Sequence, residues 1–411
     1  MKELSITSNS KIWQRKMAML LYALAPLLGW YTIAFPVDLG YALLLFLAIY
    51  ALACNGLRFN VLPISFISVI LYVCIMWSYH HNFELWTLFP PGGWVFCIFV
   101  LSILGGVIFF DFHILKTYIK WVCYISIVLF WVQFILLVFT GSQQFCFVPN
   151  LTGSFNNGTY LYTDVASKHL ASSYPCSIFL EKSYMAYYLI AFLALEWFSD
   201  ELRDKWYDKK ILLVIITLIV LRSGSGLVGL SVLGLTKVIT LIKSGTKKRK
   251  ITTALFGIPI VCVMIFGYLN TGAGQELLAR QDEFTTENTS GYTRVIGGYL
   301  IYDTFTTSEK ITGNPEAEKQ FSIERSDGFT MFYVNGIQSI LINGGIICII
   351  LYIVFYASLF RKICIVSRMC IVSFVTMAFL ESNYLNTYMI LMTVIPCADY
   401  YYSYKLKLKS K

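Results

Sequence analysis

Four arginines, Arg222, Arg280, Arg294 and Arg325, carry the clearest chemical signal in the chain. All four fall in or beside polar stretches that separate long apolar runs. A guanidinium is a planar fork that grips two phosphate oxygens at once, so arginines gathered where apolar sequence meets polar sequence suit a ligand with a greasy tail and a phosphorylated head. An arginine that merely snorkels from a tight helix junction would look the same in sequence. Glu381, in Glu381-Ser-Asn383 between two short apolar runs, has the character of a general base, because partial burial raises a carboxylate's pKa. A turn residue facing water is the other reading of Glu381, and Asp303 is a further carboxylate of the same kind. Tyr160, Tyr162, Tyr174, Tyr292, Tyr299 and Tyr302 offer ring faces that could stack on sugars, although tyrosines in long loops more often pack or anchor.

Other chemistries have no foothold. The chain contains no CxxC pair, no HExxH, no clustered histidines and no GxxxxGK[ST], and its GxGxxG spacing, GSGLVG at 224–229, lies between two apolar runs rather than in a nucleotide-binding loop, so neither a metal nor a nucleotide cofactor is expected. His80, His81, His113 and His169 are scattered and read as surface or interface residues. Nine of the eleven cysteines fall in apolar runs or beside basic clusters, where they pack as small hydrophobes. Cys146 and Cys176 share one long polar stretch, and an oxidising exterior would permit a disulfide between them, with two free thiols as the alternative.

The elements that must hold these residues are set by composition. Of 411 residues 57% are hydrophobic, 17% aromatic and only 13% charged, about half the charge of an ordinary soluble domain. Apolar runs at 17–35, 39–54, 61–79, 94–110, 121–140, 184–199, 251–269 and 336–360 approach or exceed the length a helix needs to cross a bilayer. These features exclude a soluble enzyme and predict an all-α integral membrane protein in which residues 1–411 form a single polytopic domain. The net charge of +9 has a membrane explanation, so no nucleic-acid partner is expected.

Basic residues collect in cytoplasmic loops near span ends, which fixes the remaining crossings by parity. Basic clusters flank 211–242 on both sides, at 200–210 and 243–250, so this stretch must be a hairpin with Arg222–Gly226 at its outer turn. The same reasoning between Arg361, Lys362 and Arg368 and the lysines of the tail makes Glu381–Asn383 an outer turn. About twelve transmembrane helices result, with both termini cytoplasmic and 24 of the 32 basic residues on the inner side. Lys11, Arg15 and Lys16 before the first run then belong to an uncleaved signal anchor. Two outer loops, 141–183 and 270–335, are too long to be mere connections. The second contains a helical stretch over Tyr292–Phe305, with Tyr292, Val295, Tyr299 and Tyr302 on one stripe. Within the hairpin, Ser225 and Gly229 form a small-xxx-small pair suited to close helix contact.

The segment Ile211–Leu235, ILLVIITLIVLRSGSGLVGLSVLGL, resembles the interrupted hairpin of O-antigen polymerases of the Wzy type and of the related O-antigen ligases. Two further segments follow in the family's order. SGYTRVIGGYLIYDTF starts at Ser290 in the long outer loop, and FYVNGIQSILINGGIICIILYIV starts at Phe332 and resembles the family's HNSxLxxLxxxGxxG lead-in to the next span. Arg280 to Gly291 and Arg325 to Gly336 fit an Arg-x10-Gly spacing described for these polymerases. Ligases carry a histidine at the lead-in, and Phe332, Tyr333 and Asn335 supply none, which favours the polymerase. The likeness covers roughly residues 200–400.

This resemblance implies a metal-independent glycosyltransferase of lipopolysaccharide O-antigen or surface polysaccharide biosynthesis, a multi-pass protein of the bacterial inner membrane. It would join undecaprenyl-pyrophosphate-linked oligosaccharide repeats at the periplasmic face, with membrane lipid around it and a chain-length regulator protein as partner. Arg222 and Arg294 would hold the pyrophosphate, with Glu381 as the third catalytic candidate. Arg280, Arg325, Tyr292 and Tyr299 would bind substrate. An O-antigen ligase, another polyprenyl-phosphate-dependent glycosyltransferase and a lipid-linked oligosaccharide flippase are the alternatives.

Overall fold

A computed structural model of the chain describes residues 9–29, 31–34, 37–56, 63–80, 91–142, 146, 174–179, 181–202, 205, 208–244, 292–315, 317, 323–324, 330–331, 334–380 and 387–409. In order these form α1 (Asn9–Leu28), β1 (Thr32–Ala34), β2 (Val37–Asp38), α2 (Leu39–Asn55), α3 (Ile64–His80), α4 (Pro91–Phe109) and α5 (Phe112–Thr140). Then come α6 (Lys182–Trp197), α7 (Lys209–Val220), α8 (Gly224–Ser244), a π turn (Thr293–Gly297), α9 (Gly298–Asp303) and α10 (Thr307–Thr312). The chain continues through β3 (Ile323–Glu324), β4 (Thr330–Met331), α11 (Gly336–Phe360), α12 (Ile365–Leu380) and α13 (Thr387–Lys409). The strands are two antiparallel pairs of two or three residues, β1 with β2 and β3 with β4.

The protein is an all-α membrane protein. Three described helices are long and apolar enough to cross a bilayer: Phe112–Thr140, Gly224–Lys243 and Gly336–Phe360. Their exposed faces are greasy. On α5, Trp121, Ile125, Val128, Val132, Ile135 and Phe139 are all exposed and recur every three or four residues, so one face of the helix is apolar and uncovered among the described residues. A long apolar stripe of this kind suits contact with hydrocarbon. By contrast, α6 is buried on every side, with Tyr184 to Leu195 all under 10% exposed, and it packs against α5, α7, α8 and α12. It is the axis of the bundle.

The first apolar run does not continue as helix through residue 35. Instead α1 ends at Leu28, and the chain turns through the β1–β2 pair before α2. The hairpin expected over 211–242 is present as α7 and α8 with a turn at Leu221–Ser223. Its close approach uses Gly226 together with Gly229 of the expected pair: a Cβ on Gly226 would sit 2.7 Å from that of Ala186 on α6, and one on Gly229 would sit 3.1 Å from Ile190 on α6 and 2.5 Å from Met377 on α12.

The bundle has two chemically distinct ends. At one, Lys116 pairs with Glu196 at 3.0 Å, Arg15 faces Tyr402, and the Lys362 ammonium lies 5.1 Å from the Tyr400 ring centre. The buried Lys237 donates to the Trp197 and Leu202 carbonyls at 2.6 and 2.7 Å, stopping the carbonyl-rich end of α6, where a cation is favoured. The residues around Arg222 lie at the opposite end, reached by the far ends of α5 and α7 and the start of α6.

Candidate functional site

The α7–α8 turn is built around Arg222. Asp208 caps the start of α7 by accepting the Lys209 N–H at 2.8 Å, and the helix runs apolar to Val220. Arg222 then adopts φ 53, a left-handed conformation that costs a residue with a side chain about 1–2 kcal/mol. The chain reverses there, and the buried Ser223 starts α8: its Oγ accepts the Gly226 N–H at 3.4 Å and lies 3.1 Å from Ser225 Oγ. A serine in that place satisfies one of the four orphan donors at a helix start.

The segment 174–179 fixes the turn from outside. The Tyr174 hydroxyl donates to the Val220 carbonyl at 2.6 Å, so its ring lies over the turn, with the Arg222 Cζ 5.8 Å from the ring centre. The Gln133 amide on α5 clamps the same segment, accepting the Ser177 N–H at 2.8 Å and donating to the Ser177 carbonyl at 3.2 Å. Trp131, two residues earlier, donates to Thr217 on α7 at 3.1 Å. The Lys182 ammonium at the start of α6 also lies 5.8 Å from the Tyr174 ring centre. Two cations therefore share one aromatic ring, an arrangement worth about 0.5–1 kcal/mol for each at an exposed site.

An aromatic wall continues from this point along α6. Tyr184 stacks on Tyr388 at 6.2 Å, and Tyr187 and Tyr188 meet the same ring edge-on at 6.0 and 6.3 Å. The buried Tyr187 hydroxyl and Ser177 Oγ have no hydrogen-bond partner among the described residues. This end of the bundle thus combines positive charge, aromatic surface and spare polar atoms, which suits an anionic head attached to an apolar tail.

The segment 292–312 packs separately on α11. Asn335 and Gln338 form a reciprocal cap at the start of α11, and the Gln338 amide also donates to the Val295 carbonyl of the π turn at 2.9 Å. The helix predicted over Tyr292–Phe305 is thus a π turn followed by α9, and it rests on α11 through Gly298 against Gln338 and Ile301 against Ile342, while Val295 and Tyr299 of the predicted stripe are exposed. Tyr292 is half-buried and Tyr299 is 42% exposed. Arg294 lies on the π turn, and its side chain is outside the described residues, as are Arg280, Arg325 and Glu381 altogether. Asp303 is exposed. On α10, the Thr306 hydroxyl and backbone N–H, with Asn314, hold Glu309 below the ordinary carboxylate range.

Beyond α10 the chain forms a polar wedge. Gly345 sits at φ 63 and breaks α11, and a Cβ there would run into the Ile311 carbonyl. The Tyr72 hydroxyl on α3 is shared between the carbonyls of Thr312 and Gly344 at 3.1 and 2.8 Å, and His80 Nε2 lies 3.1 Å from the Gly313 carbonyl. Tyr72 is two turns before His80, about 12 Å along the helix. The wedge therefore reaches well into the bundle, and the groups freed by the helix break are satisfied.

Sequence alone singled out Arg222 and noted Tyr174, but it gave Lys182 no role and left Gln133 and Ser177 unremarked. Lys182 looked like any basic residue before an apolar run; only the path of 174–179 brings it to the ring that Arg222 shares. Cys146 and Cys176 are both buried. Among the described residues no group of three or more His, Cys, Asp or Glu is arranged to hold a metal ion. A scan against models of known protein families finds no match for this chain, and a comparison with curated proteins finds none either.

Proposed function

We propose that the protein is a polysaccharide polymerase of the bacterial inner membrane that joins undecaprenyl-pyrophosphate-linked oligosaccharide repeats at the periplasmic face. The observation that carries this reading is Arg222, held left-handed in a helix-hairpin turn with its guanidinium on Tyr174, at the end opposite Lys116, Lys237 and Lys362. With basic residues on the cytoplasmic side, Arg222 faces the periplasm. The about twelve crossings, the cytoplasmic termini and the resemblance of 211–235, 290–305 and 332–354 to O-antigen polymerases belong to the same reading.

The chemistry follows from charge. As the glycan leaves its lipid pyrophosphate, positive charge develops at the anomeric carbon and negative charge on the departing oxygen, while the acceptor hydroxyl of the next repeat loses a proton. Donors aimed at the departing oxygen lower that barrier. Arg222 and Arg294 take this role, Arg280 and Arg325 bind donor or acceptor phosphates, Tyr292 and Tyr299 meet the sugars, and Glu381 accepts the proton. Guanidinium groups neutralise the diphosphate here without a cofactor. A chain-length regulator is the partner this reading implies.

A flippase would use a broken helix to line a cavity. The break in α11 is instead filled by Gly313, Tyr72 and the end of α10, which supports the polymerase over the transporter. The test is genetic. In a strain lacking the native protein, Arg222→Ala and Arg294→Ala should leave single repeats on the ligated lipid, whereas long ladders from both variants would remove the arginine mechanism.

A further inference from the structure

At the end of the bundle opposite Arg222, a cavity of about 250 Å³ lies between the starts of α5 and α7 and the end of α6. Its wall carries both signs of charge. Lys116 and Lys120 come from α5, Glu196 from α6, Glu201 from the connection that follows it, and Asp208 and Lys210 from the start of α7. Lys116 and Glu196 satisfy one another at 3.0 Å. Two ammonium groups, Lys120 and Lys210, and two carboxylates, Glu201 and Asp208, remain on the wall, and none of the four forms an ion pair with a described residue.

The wall is held in place by its own contacts. The Leu202 carbonyl on the rim accepts from the buried Lys237 at 2.7 Å, Asp208 caps α7 through the Lys209 N–H, and the Lys120 ammonium lies 6.0 Å from the Tyr124 ring centre. A site fixed in this way loses little freedom on binding. It also borders apolar surface. On α5 the cavity residues His113, Lys116, Thr117 and Lys120 form one stripe, and the exposed Trp121, Ile125, Val128 and Val132 form another about a quarter turn round the helix, at about 100° per residue. On α7, Ile211 lines the cavity, and Leu212 and Leu213 after it are exposed. A polar head can therefore enter the cavity while apolar chains run along α5 and α7, the arrangement that charged pockets between membrane helices offer to lipids.

We infer that this cavity binds the headgroup of a zwitterionic phospholipid with a primary ammonium, a phosphatidylethanolamine, from the leaflet at the end opposite Arg222. Lys120 and Lys210 meet the phosphate, and Glu201 and Asp208 accept hydrogen bonds from the ammonium. A headgroup without a cation would bring its phosphate beside two unmatched carboxylates, and a choline headgroup has no N–H to donate. This site is independent of the reaction proposed for the Arg222 end.

Native mass spectrometry tests it on the purified full-length protein, delipidated in detergent and titrated with the dioleoyl forms of phosphatidylethanolamine, phosphatidylcholine and phosphatidylglycerol. The ethanolamine lipid should bind at one site about fivefold or more tighter than either of the others. Glu201→Gln and Lys210→Gln change exposed residues and leave the fold intact, and each should weaken the ethanolamine lipid by about threefold or more. Lys205→Gln, an exposed charge that does not line the cavity, should leave binding unchanged. Equal binding of the three lipids, a preference for either of the other two, an unchanged affinity in Glu201→Gln or in Lys210→Gln, or an equal loss in Lys205→Gln would overturn the site. Glycerophosphoethanolamine, the same headgroup without chains, should fail to displace the lipid at equal concentration, and displacement would overturn a lipid as the occupant.

Discussion

Replacing Arg222 by glycine should make the protein more stable than replacing it by alanine, while both variants lose activity. Either substitution removes the guanidinium from Tyr174, and with it about 0.5–1 kcal/mol of cation–π attraction. They differ in the backbone. The turn requires φ 53 at this position, which costs alanine about 1–2 kcal/mol and glycine nothing. Glycine loses part of this advantage because its unfolded chain is freer, by roughly 0.4–1 kcal/mol. The balance favours Arg222→Gly over Arg222→Ala by about 1 kcal/mol, roughly a fivefold difference in the folded-to-unfolded ratio. Reversible unfolding by SDS in mixed micelles reads that difference, and polymer length on a gel reads activity. Loss of a donor to the departing oxygen should lower turnover by about a hundredfold or more in both. Equal stability of the two variants would refute the strained turn, and wild-type polymer from either would refute the role of the guanidinium.

Three other perturbations test the frame around the site. Gly345→Ala should destabilise by more than Gly141→Ala: both positions have positive φ, but space around Gly141 is open while a Cβ at Gly345 meets the Ile311 carbonyl, and SDS unfolding of the two side by side checks the order. Gln338→Ala removes the side-chain half of the reciprocal cap of α11 and the bond to the Val295 carbonyl, so it should cost about 1–3 kcal/mol and speed proteolysis near the π turn. Glu309 is held below the usual carboxylate value by the Thr306 hydroxyl first and its backbone N–H second. A depressed carboxylate stabilises the fold above its unfolded pKa of about 4.3, and that contribution disappears as pH falls through the lower folded value. Amide protection factors in α10, corrected for the intrinsic pH dependence of exchange, should therefore fall below about pH 4, and Glu309→Gln should flatten the dependence.

The hydrophobic runs made most of the helices legible, because long, nearly uncharged stretches fold into helices whose outer faces stay apolar, as at Trp121, Ile125, Val128 and Val132. The interruption Arg222-Ser-Gly-Ser-Gly226 between two apolar runs, flanked by basic clusters at 200–210 and 243–250, located the turn at Arg222. Tertiary facts were not legible. The end of α1 at Leu28 depends on β1–β2 pairing, which a run of apolar residues through 35 does not announce. Of the Ser225–Gly229 pair, Gly229 does meet α6 at Ile190, and only the rotation of α8 adds Gly226 against Ala186. Lys182 was invisible as a site residue because its partner, Tyr174, sits eight positions earlier and reaches it through a segment clamped by Gln133. The break at Gly345 was hidden within a continuous apolar stretch, since a glycine pair in a membrane helix signals close packing as readily as a kink.

The most direct test of the account supplies purified protein in proteoliposomes with one undecaprenyl-pyrophosphate-linked repeat as the only substrate. Wild-type protein should build polymer without any second acceptor and release one undecaprenyl pyrophosphate for each bond formed, and Arg222→Ala should do neither. Translocation of the repeat across the bilayer with no bond formed, or equal polymer from Arg222→Ala, would contradict it.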